Sequence, residues 1–146
     1  MKTALSFIFS FLFIFPLLSQ EKNKDTILKY TMHKPPVFPG CGGYGKELKR
    51  VCFTEKLNQH IRDHFQYPKI AIDSGYQGKV IVKFKINEKG LVENVTAKGP
   101  YLFFEKEAIR IISKLPKMKP AKNKKGDPLK LQFSTSLTFR LEDENR

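Results

Sequence analysis

The stretch LKLQFSTSLTFRL, Leu129 to Leu141, alternates between two classes of side chain and decides the fold. Apolar residues and one threonine occupy the odd positions, and polar or charged residues occupy the even ones. Alternation with period two predicts a β-strand with one buried face and one solvated face. A strand of thirteen residues is longer than the usual five or six and longer than any partner predicted below. We therefore expect some of its backbone donors and acceptors to lack partners in the sheet.

Two more strands are predicted upstream, joined by a hairpin. Lys79 to Asn87 alternates strictly. One face carries Val80, Val82, Phe84 and Ile86, and the other carries Lys79, Ile81, Lys83 and Lys85. The turn Asn87-Glu88-Lys89-Gly90 follows, and Gly90 suits a positive φ. Leu91 to Lys98 forms the returning strand. Val92 and Val95 have opposite parity in it, which predicts a bulge or weak burial.

Two helices complete the pattern. Thr54 suits an N-cap, and apolar residues then recur at helical spacing, so a helix is predicted over Thr54 to Phe65 that ends before Pro68. A second helix carries Phe104, Ala108, Ile111, Ile112 and Leu115 on one face and ends at Pro116. The order helix, strand, strand, helix, strand predicts an α+β fold in two layers. Two helices pack on a small antiparallel sheet of about three strands.

The N-terminus has the features of a secretory signal. Lys2 precedes an apolar run, Ala4 to Leu18, and Ser19 fits the last position before a cleavage site. The run spans roughly 22 Å, which is less than the ~30 Å hydrocarbon core. We predict a signal peptide at residues 1–19, with an uncleaved membrane anchor as the alternative. Residues 20–53 are predicted to be a tether and a disulfide-stapled segment, and residues 54–146 the domain.

The predicted export of the chain decides how its two cysteines are interpreted, because it places them in an oxidising compartment. In an oxidising compartment Cys41 and Cys52 most simply pair with each other. They would close a loop of 12 residues counting both ends, which contributes about 3 kcal/mol in the chain-entropy model. The rival hypothesis is a zinc site that adds His60 and His64, although the spacing of the cysteines is unusual for zinc. A catalytic thiol would need an orienting Asn or Asp, and none is identifiable.

Composition narrows the functional classes. The formal net charge is +13, but an exported chain rarely meets nucleic acid, and aromatic and basic residues do not interleave as in single-strand binders. No Walker loop, HExxH or GxSxG occurs, so neither enzymatic activity nor a cofactor is predicted. The excess charge is concentrated in a lysine run. This run is a solvated loop, or it is a surface that attracts anionic lipid or an acidic partner. Its members are Lys114, Lys117, Lys119, Lys122, Lys124 and Lys125.

An ordered set of residues between about Pro35 and Leu141 resembles the C-terminal domain of TonB-type energy transducers. The set begins with a PVFPGC segment and a second cysteine. It continues with Tyr67-Pro68, Ala71, Gly75, Gly78, the alternating strand Val80 to Ile86, Gly90, Glu107-Ala108, Leu115-Pro116, Met118, Pro120-Ala121, Gly126, Phe139 and Leu141. The resemblance rests on the whole set rather than on one motif.

The resemblance implies a periplasmic domain that adds the N-terminal peptide of an outer-membrane TonB-dependent transporter to its own last strand. It also implies coupling to an inner-membrane ExbB/ExbD-type complex that harvests the proton-motive force. An exposed strand edge offers main-chain hydrogen bonds to an extended peptide. The peptide-binding residues would be Leu129, Leu131, Gln132, Phe133, Ser134, Thr135, Ser136, Leu137, Thr138 and Phe139.

Three alternatives to this function stay open. In the first, the polar residues of the last strand form only a solvent-exposed face, and Lys130 and Arg140 protect the strand edge from pairing. In the second, the chain is a free-standing, envelope-associated binding protein of the periplasm without energy transduction, because the spacer typical of transducers is missing from this short polar lead. In the third, two copies of the domain exchange their last strands and form a homodimer.

Overall fold

The computed structural model describes residues 33–141. Predictions for the signal peptide and for tether residues 20–32 fall outside this range. One antiparallel sheet contains β1 (Gly78–Ile86), β2 (Val92–Lys98) and β5 (Leu131–Phe139) in the order β2-β1-β5. A separate small sheet pairs β3 (Ala121–Lys122) with β4 (Pro128–Leu129). The predicted α+β fold is confirmed. In chain order the elements are α1 Lys46–His64, α2 Lys69–Ser74, β1 Gly78–Ile86, β2 Val92–Lys98, α3 Leu102–Ser113, β3 Ala121–Lys122, β4 Pro128–Leu129 and β5 Leu131–Phe139.

The central strand β1 pairs with β5 along its whole length. Their register runs without interruption from Gly78 opposite Phe139 to Ile86 opposite Leu131. The apolar residues of β1 are buried, as their alternation predicts: Val80, Val82, Phe84 and Ile86. Among residues 33–141 no helix covers the opposite face of the sheet, which is lined by polar and basic side chains, with Ile81 as a half-exposed exception.

The last strand is shorter than predicted. The thirteen-residue strand is wrong, because Leu129 belongs to β4 and pairs with Ala121, and β5 itself covers nine residues. The predicted mismatch in length between partners is also wrong, since β1 is nine residues long too. Unpaired backbone groups on β5 therefore lie along its side and do not arise from excess length.

The hairpin between β1 and β2 contains a bulge, as the opposite parity of Val92 and Val95 predicts. Three residues of β1, Lys83 to Lys85, lie opposite four of β2, Glu93 to Thr96. Asn94 absorbs the extra residue with a φ of 52°. An additional residue in one strand of an antiparallel pair increases its local twist. The bulge lies in β2, so the alternation of β1 itself stays regular.

The first helix begins eight residues before the predicted start, so the assignment of Thr54 as its N-cap is wrong. Gly45 is the N-cap, and the Thr54 hydroxyl donates back to the carbonyl of Arg50 within the helix. The first two turns were missed because Leu48 and Val51 are exposed there, which removes the apolar periodicity. The short helix α2 was not predicted either. It buries only Ala71, so it presents no apolar stripe.

Both long helices pack on the same face of the sheet. Phe104 of α3 stacks on Phe139 of β5, with ring centroids 4.1 Å apart. Phe53 of α1 stacks on Phe133 of β5 at 5.4 Å. Arg110 of α3 joins the helices by donating to the carbonyl of His64 and to Glu107. Helix α1 thus lies on the β5 side of the layer and α3 over β1 and β2.

The segment before α1 is fastened to the domain by two sets of bonds. Backbone hydrogen bonds pair Lys34 with Lys122 and Val37 with Lys119. The disulfide between Cys41 and Cys52 joins the segment to α1 across a Cα separation of 5.9 Å. Within residues 33–141 no helix is both long enough and apolar enough to cross a membrane.

We expect loss of this disulfide to lower the free energy of unfolding by about 3 kcal/mol, because the reduced unfolded chain regains loop entropy. The measurement is urea denaturation of the oxidised protein and of Cys41→Ala/Cys52→Ala. Dithiothreitol should produce a similar loss in the parent chain and none in the double variant. Equal stability of oxidised and reduced parent would contradict a stabilising role.

Candidate functional site

The backbone directions of β1 identify which groups of β5 face outward. The Asn87 N–H, just after β1, donates to the carbonyl of Leu91 at 2.9 Å, so it points toward the β2 side. The Lys83 carbonyl points the same way, since the Thr96 hydroxyl lies 3.5 Å from it. Backbone groups in an antiparallel strand alternate in direction. The even residues of β1 therefore face β5, where their partners are the odd residues.

It follows that the even residues of β5 direct their N–H and C=O groups to the outer edge of the sheet: Gln132, Ser134, Ser136 and Thr138. Within residues 33–141 no other strand pairs with this edge, and no loop backbone hydrogen-bonds to it. A row of this kind is a template for one further strand.

The side chains of β5 divide in the same way. Those of Leu131, Leu137 and Phe139 are buried under the helices, and those of Phe133 and Thr135 are half-buried. The four even residues from Gln132 to Thr138 are exposed on the open face of the sheet. Nine of the ten predicted peptide-binding residues thus lie together on β5. Leu129 is the exception, because it pairs with β3.

An apolar groove of about 550 Å³ lies beside the first half of this edge. Phe53 and Leu57 of α1 and Leu131 and Phe133 of β5 line it, and the rings of Phe53 and Phe133 stack on each other. The sequence prediction assigned no residue of the first helix to the binding site, and it placed Arg50 and Phe53 before the start of that helix. Extending the helix back to Gly45 would have found Phe53. The other lining residues are Pro35, Pro36, Arg50, Thr54, Asn58, Lys83, Gln132, Ser134 and Thr135.

The proposed guard residue Lys130 does not extend along the outer edge. Its Nζ lies 2.8 Å from Oε1 of Glu93 on β2, so the side chain is directed across the sheet. Their hydrogen bond raises the pKa of Lys130 and lowers the pKa of Glu93. Lys130 is therefore held away from the row of free backbone groups. The interpretation of β5 as a plain solvent-exposed face named Lys130 and Arg140 as the residues that protect its edge. Lys130 does not have this role.

The zinc hypothesis is contradicted by the state of its ligands. Cys41 and Cys52 are joined to each other, so neither supplies a thiolate. The His60 Nε2 lies 3.0 Å from the carbonyl of Ile111, and its ring stacks on that of His64. Among the described residues no three His, Cys, Asp or Glu side chains gather in a way that could hold a metal ion.

Burial makes His60 sensitive to pH. Desolvation is the main cause that lowers its pKa below 6.5, and the positive charges of His64 and Lys114 add to this effect. The hydrogen bond with Ile111 and the charge of Asp63 oppose it without reversing it. His60 is therefore neutral in the folded domain at a pH where the unfolded chain already binds a proton.

We expect the free energy of unfolding to fall as the pH decreases below about 6.5 toward the lowered pKa of His60, since the unfolded chain binds a proton there that folded His60 does not. The slope contributed by one group is at most about 1.4 kcal/mol per pH unit. The measurement is urea denaturation at several pH values. His60→Gln should flatten the profile in this window, whereas His33→Gln, at an exposed position, should leave it unchanged. A profile that is the same in all three proteins would refute the assignment.

Comparison with known proteins supports the fold and the family. An NMR solution structure of the Helicobacter pylori TonB C-terminal domain superposes with a TM-score of 0.51 at 22% identity, covering 70% of this chain and 89% of that one. A shorter version of the same domain gives a TM-score of 0.48 at 22% identity, with coverage of 63% and 97%. No match was found among curated proteins. The family model described as the Gram-negative bacterial TonB protein C-terminal matches residues 63–141, and the chain belongs to that family.

Proposed function

We propose that this domain binds the N-terminal peptide of an outer-membrane TonB-dependent transporter by adding it as a strand along β5. The observation that carries the proposal is the outer edge of β5, where Gln132, Ser134, Ser136 and Thr138 present backbone groups without a partner in residues 33–141. Strand addition supplies affinity through main-chain hydrogen bonds, and side-chain pockets supply specificity.

The apolar groove supports this mode of binding. Side chains of an added strand would point alternately to the two faces of the sheet. Those on the helix side would enter the groove that Phe53 and Phe133 line, while those on the other side would join Ser134 and Gln132 on the polar face. The exposed Arg50 also lines the groove, where its Nη1 lies 3.7 Å from Oε2 of Glu47. The best guest is therefore an extended peptide with alternate apolar residues.

The cellular context follows from family membership and belongs to the same proposal. The domain would act in the periplasm and contribute to energy-coupled transport across the outer membrane. An inner-membrane ExbB/ExbD-type complex would supply the force if the N-terminal segment is retained as an anchor. A cleaved segment would leave a free-standing binding protein of the envelope.

The test is titration of a peptide from a transporter N-terminus into the labelled domain, followed by amide resonances. Saturable shifts should be largest at Ser134 and Ser136, whose N–H groups face outward, and smaller at Leu137, which is paired with β1. A control peptide with a central proline should bind much more weakly, because it lacks a strand-forming donor. Absence of saturable shifts, or shifts confined to β2, would refute the proposal.

The same edge could pair with a second copy of the chain, so the oligomeric state is measured in the same samples. A homodimer through β5 predicts concentration-dependent shifts at Ser134 and Ser136 without peptide, and a doubled mass in sedimentation. Peptide should then compete with the dimer. Strand exchange would be excluded by a monomeric mass at the highest concentration used.

A further inference from the structure

Lys83 lines the apolar groove, although it belongs to the central strand β1 and not to the edge strand β5. Its side chain is exposed on the open face of the sheet, because its neighbours Val82 and Phe84 are buried on the helix side. Its backbone carbonyl faces β2, where the Thr96 hydroxyl lies 3.5 Å away. The side chain is therefore the part of Lys83 that reaches the groove, and it extends across β5 to do so.

The residue that separates Lys83 from the outer edge is small. Ser134 lies directly opposite Lys83 in the register of β1 and β5, and its side chain is on the same face. Neighbouring strands are about 4.8 Å apart, so a guest strand on β5 would run roughly 10 Å from β1. The four-carbon stem of a lysine covers more than half of this distance when only a serine intervenes. In the next row the longer Gln132 stands between Lys85 and the edge.

The charge of Lys83 has no ionic partner within residues 33–141. Arg50 also lines the groove, but its Nη1 lies 3.7 Å from Oε2 of Glu47. Glu93, an acid of the open face, is 2.8 Å from the Nζ of Lys130. Among the described residues no carboxylate lines the groove. The ammonium group of Lys83 is therefore available to a group that arrives from outside this part of the chain.

The geometry of strand addition indicates which group that is. Residues that lie opposite each other in paired strands have their side chains on the same face of the sheet. A guest strand on β5 would thus place one side chain beside Ser134, in a row that continues to Lys83 and Thr96. A carboxylate in that place would accept a charge-assisted hydrogen bond from the ammonium group. Glutamate fits better than aspartate, because its longer side chain covers the rest of the distance.

We propose that Lys83 selects a guest peptide that has a glutamate at the position beside Ser134. This inference rests on the proposed function, since it names a specificity-determining residue at the same edge. The guest would have two different sides, with apolar residues toward Phe53 and Phe133 and an acidic residue toward Lys83. Main-chain hydrogen bonds would supply most of the affinity, and Lys83 would discriminate between guests.

The test is a double-mutant cycle measured by isothermal titration calorimetry. The register of the bound transporter peptide is first read from nuclear Overhauser effects between its amides and the amide of Ser134. One pair of peptides carries glutamate or glutamine beside Ser134. A second pair carries them beside Ser136, whose partner on β1 is Ile81. The proteins are the parent, Lys83→Gln and the matched control Lys79→Gln, which changes an exposed lysine on the same face of β1 that does not line the groove.

The parent should bind the peptide with glutamate beside Ser134 about three- to fivefold more tightly than the glutamine peptide, as for other cross-strand charge pairs. Lys83→Gln should lose this preference, and Lys79→Gln should keep it. Glutamate beside Ser136 should change the affinity less, and equally in both variants, because only the overall charge of the domain acts on it. Lys83→Glu should reverse the preference, so that lysine beside Ser134 binds more tightly than glutamate.

Equal affinities of the parent for the glutamate and glutamine peptides, or the same preference in Lys83→Gln, would overturn the proposal. If the amide shifts at Ser134 and Ser136 persist in that case, the peptide still adds to β5 and the proposed function stands. Absence of these shifts with every peptide would refute both. A doubled mass of Lys83→Gln in sedimentation, with tighter binding of the glutamine peptide, would overturn the proposal and show that Lys83 protects the edge from pairing.

Discussion

Replacing Ser134 with proline is expected to lower the affinity for transporter peptide by roughly 30-fold or more, equivalent to about 2 kcal/mol, while the domain stays folded. Proline removes the outward N–H of residue 134, and its ring occupies the space where a guest strand would approach. The hydrogen bonds between β5 and β1 are kept, since residue 134 makes none of them. Edge positions tolerate proline when the missing N–H faces solvent.

Two control variants make this result specific. Ser134→Ala keeps the N–H, so it should bind peptide nearly as well as the parent if recognition is through the main chain. Thr135→Pro removes a donor that pairs with β1, and we expect it to cost about 3 kcal/mol or more of folding stability. Affinity comes from isothermal titration calorimetry and stability from urea denaturation. Unchanged binding by Ser134→Pro would place the peptide elsewhere.

Gly90→Ala is expected to be the most destabilising of the substitutions considered, with a loss of more than about 4 kcal/mol. A Cβ at residue 90 would lie 1.8 Å from the carbonyl oxygen of Met118 and 2.8 Å from its carbonyl carbon. Gly90 also has a φ of 80° and accepts a hydrogen bond from the Met118 N–H at 2.9 Å. The hairpin and the buried segment around Met118 would have to separate.

Gly126 provides the matched control, because it has a similar φ of 93° but nothing within 4 Å of its Cβ position. Gly126→Ala should therefore cost only the left-handed backbone penalty, about 1 kcal/mol. The comparison by thermal and urea denaturation separates the steric contact from backbone strain. Similar losses in both variants would show that the contact with Met118 relaxes easily. Failure of Gly90→Ala to fold would agree with the prediction if Gly126→Ala folds.

The alternation of β1 and β5 allowed both strands to be predicted from sequence alone. A period of two is a local property, and burial of the odd residues of β5 follows from it directly. The bulge near Asn94 was also visible locally, because Val92 and Val95 conflict in parity. Features of this kind need no knowledge of the rest of the chain.

The remaining features depend on contacts between distant residues. Residues Lys46 to Phe53 form helix because the disulfide and Phe133 hold them, although their exposed Leu48 breaks the apolar pattern. The beginning of β5 is set by the pairing of Leu129 with Ala121, because this pairing places Leu129 in β4. No local pattern reveals it. The apolar groove combines residues from the stapled segment, α1 and β5, so it exists only after these parts have packed.

The residues of β5 form two sets that would be under different selection. The odd residues would be selected for folding, and the even residues for binding. Odd residues such as Leu137 hold the sheet and the core, and even residues such as Ser136 face outward with both backbone and side chain. If a guest strand binds along this edge as proposed, mutations at even positions would change its side-chain contacts at little cost to folding. Gene duplicates could thus diverge toward different partners by drifting at alternate positions of one strand, without first acquiring compensating changes in the interior.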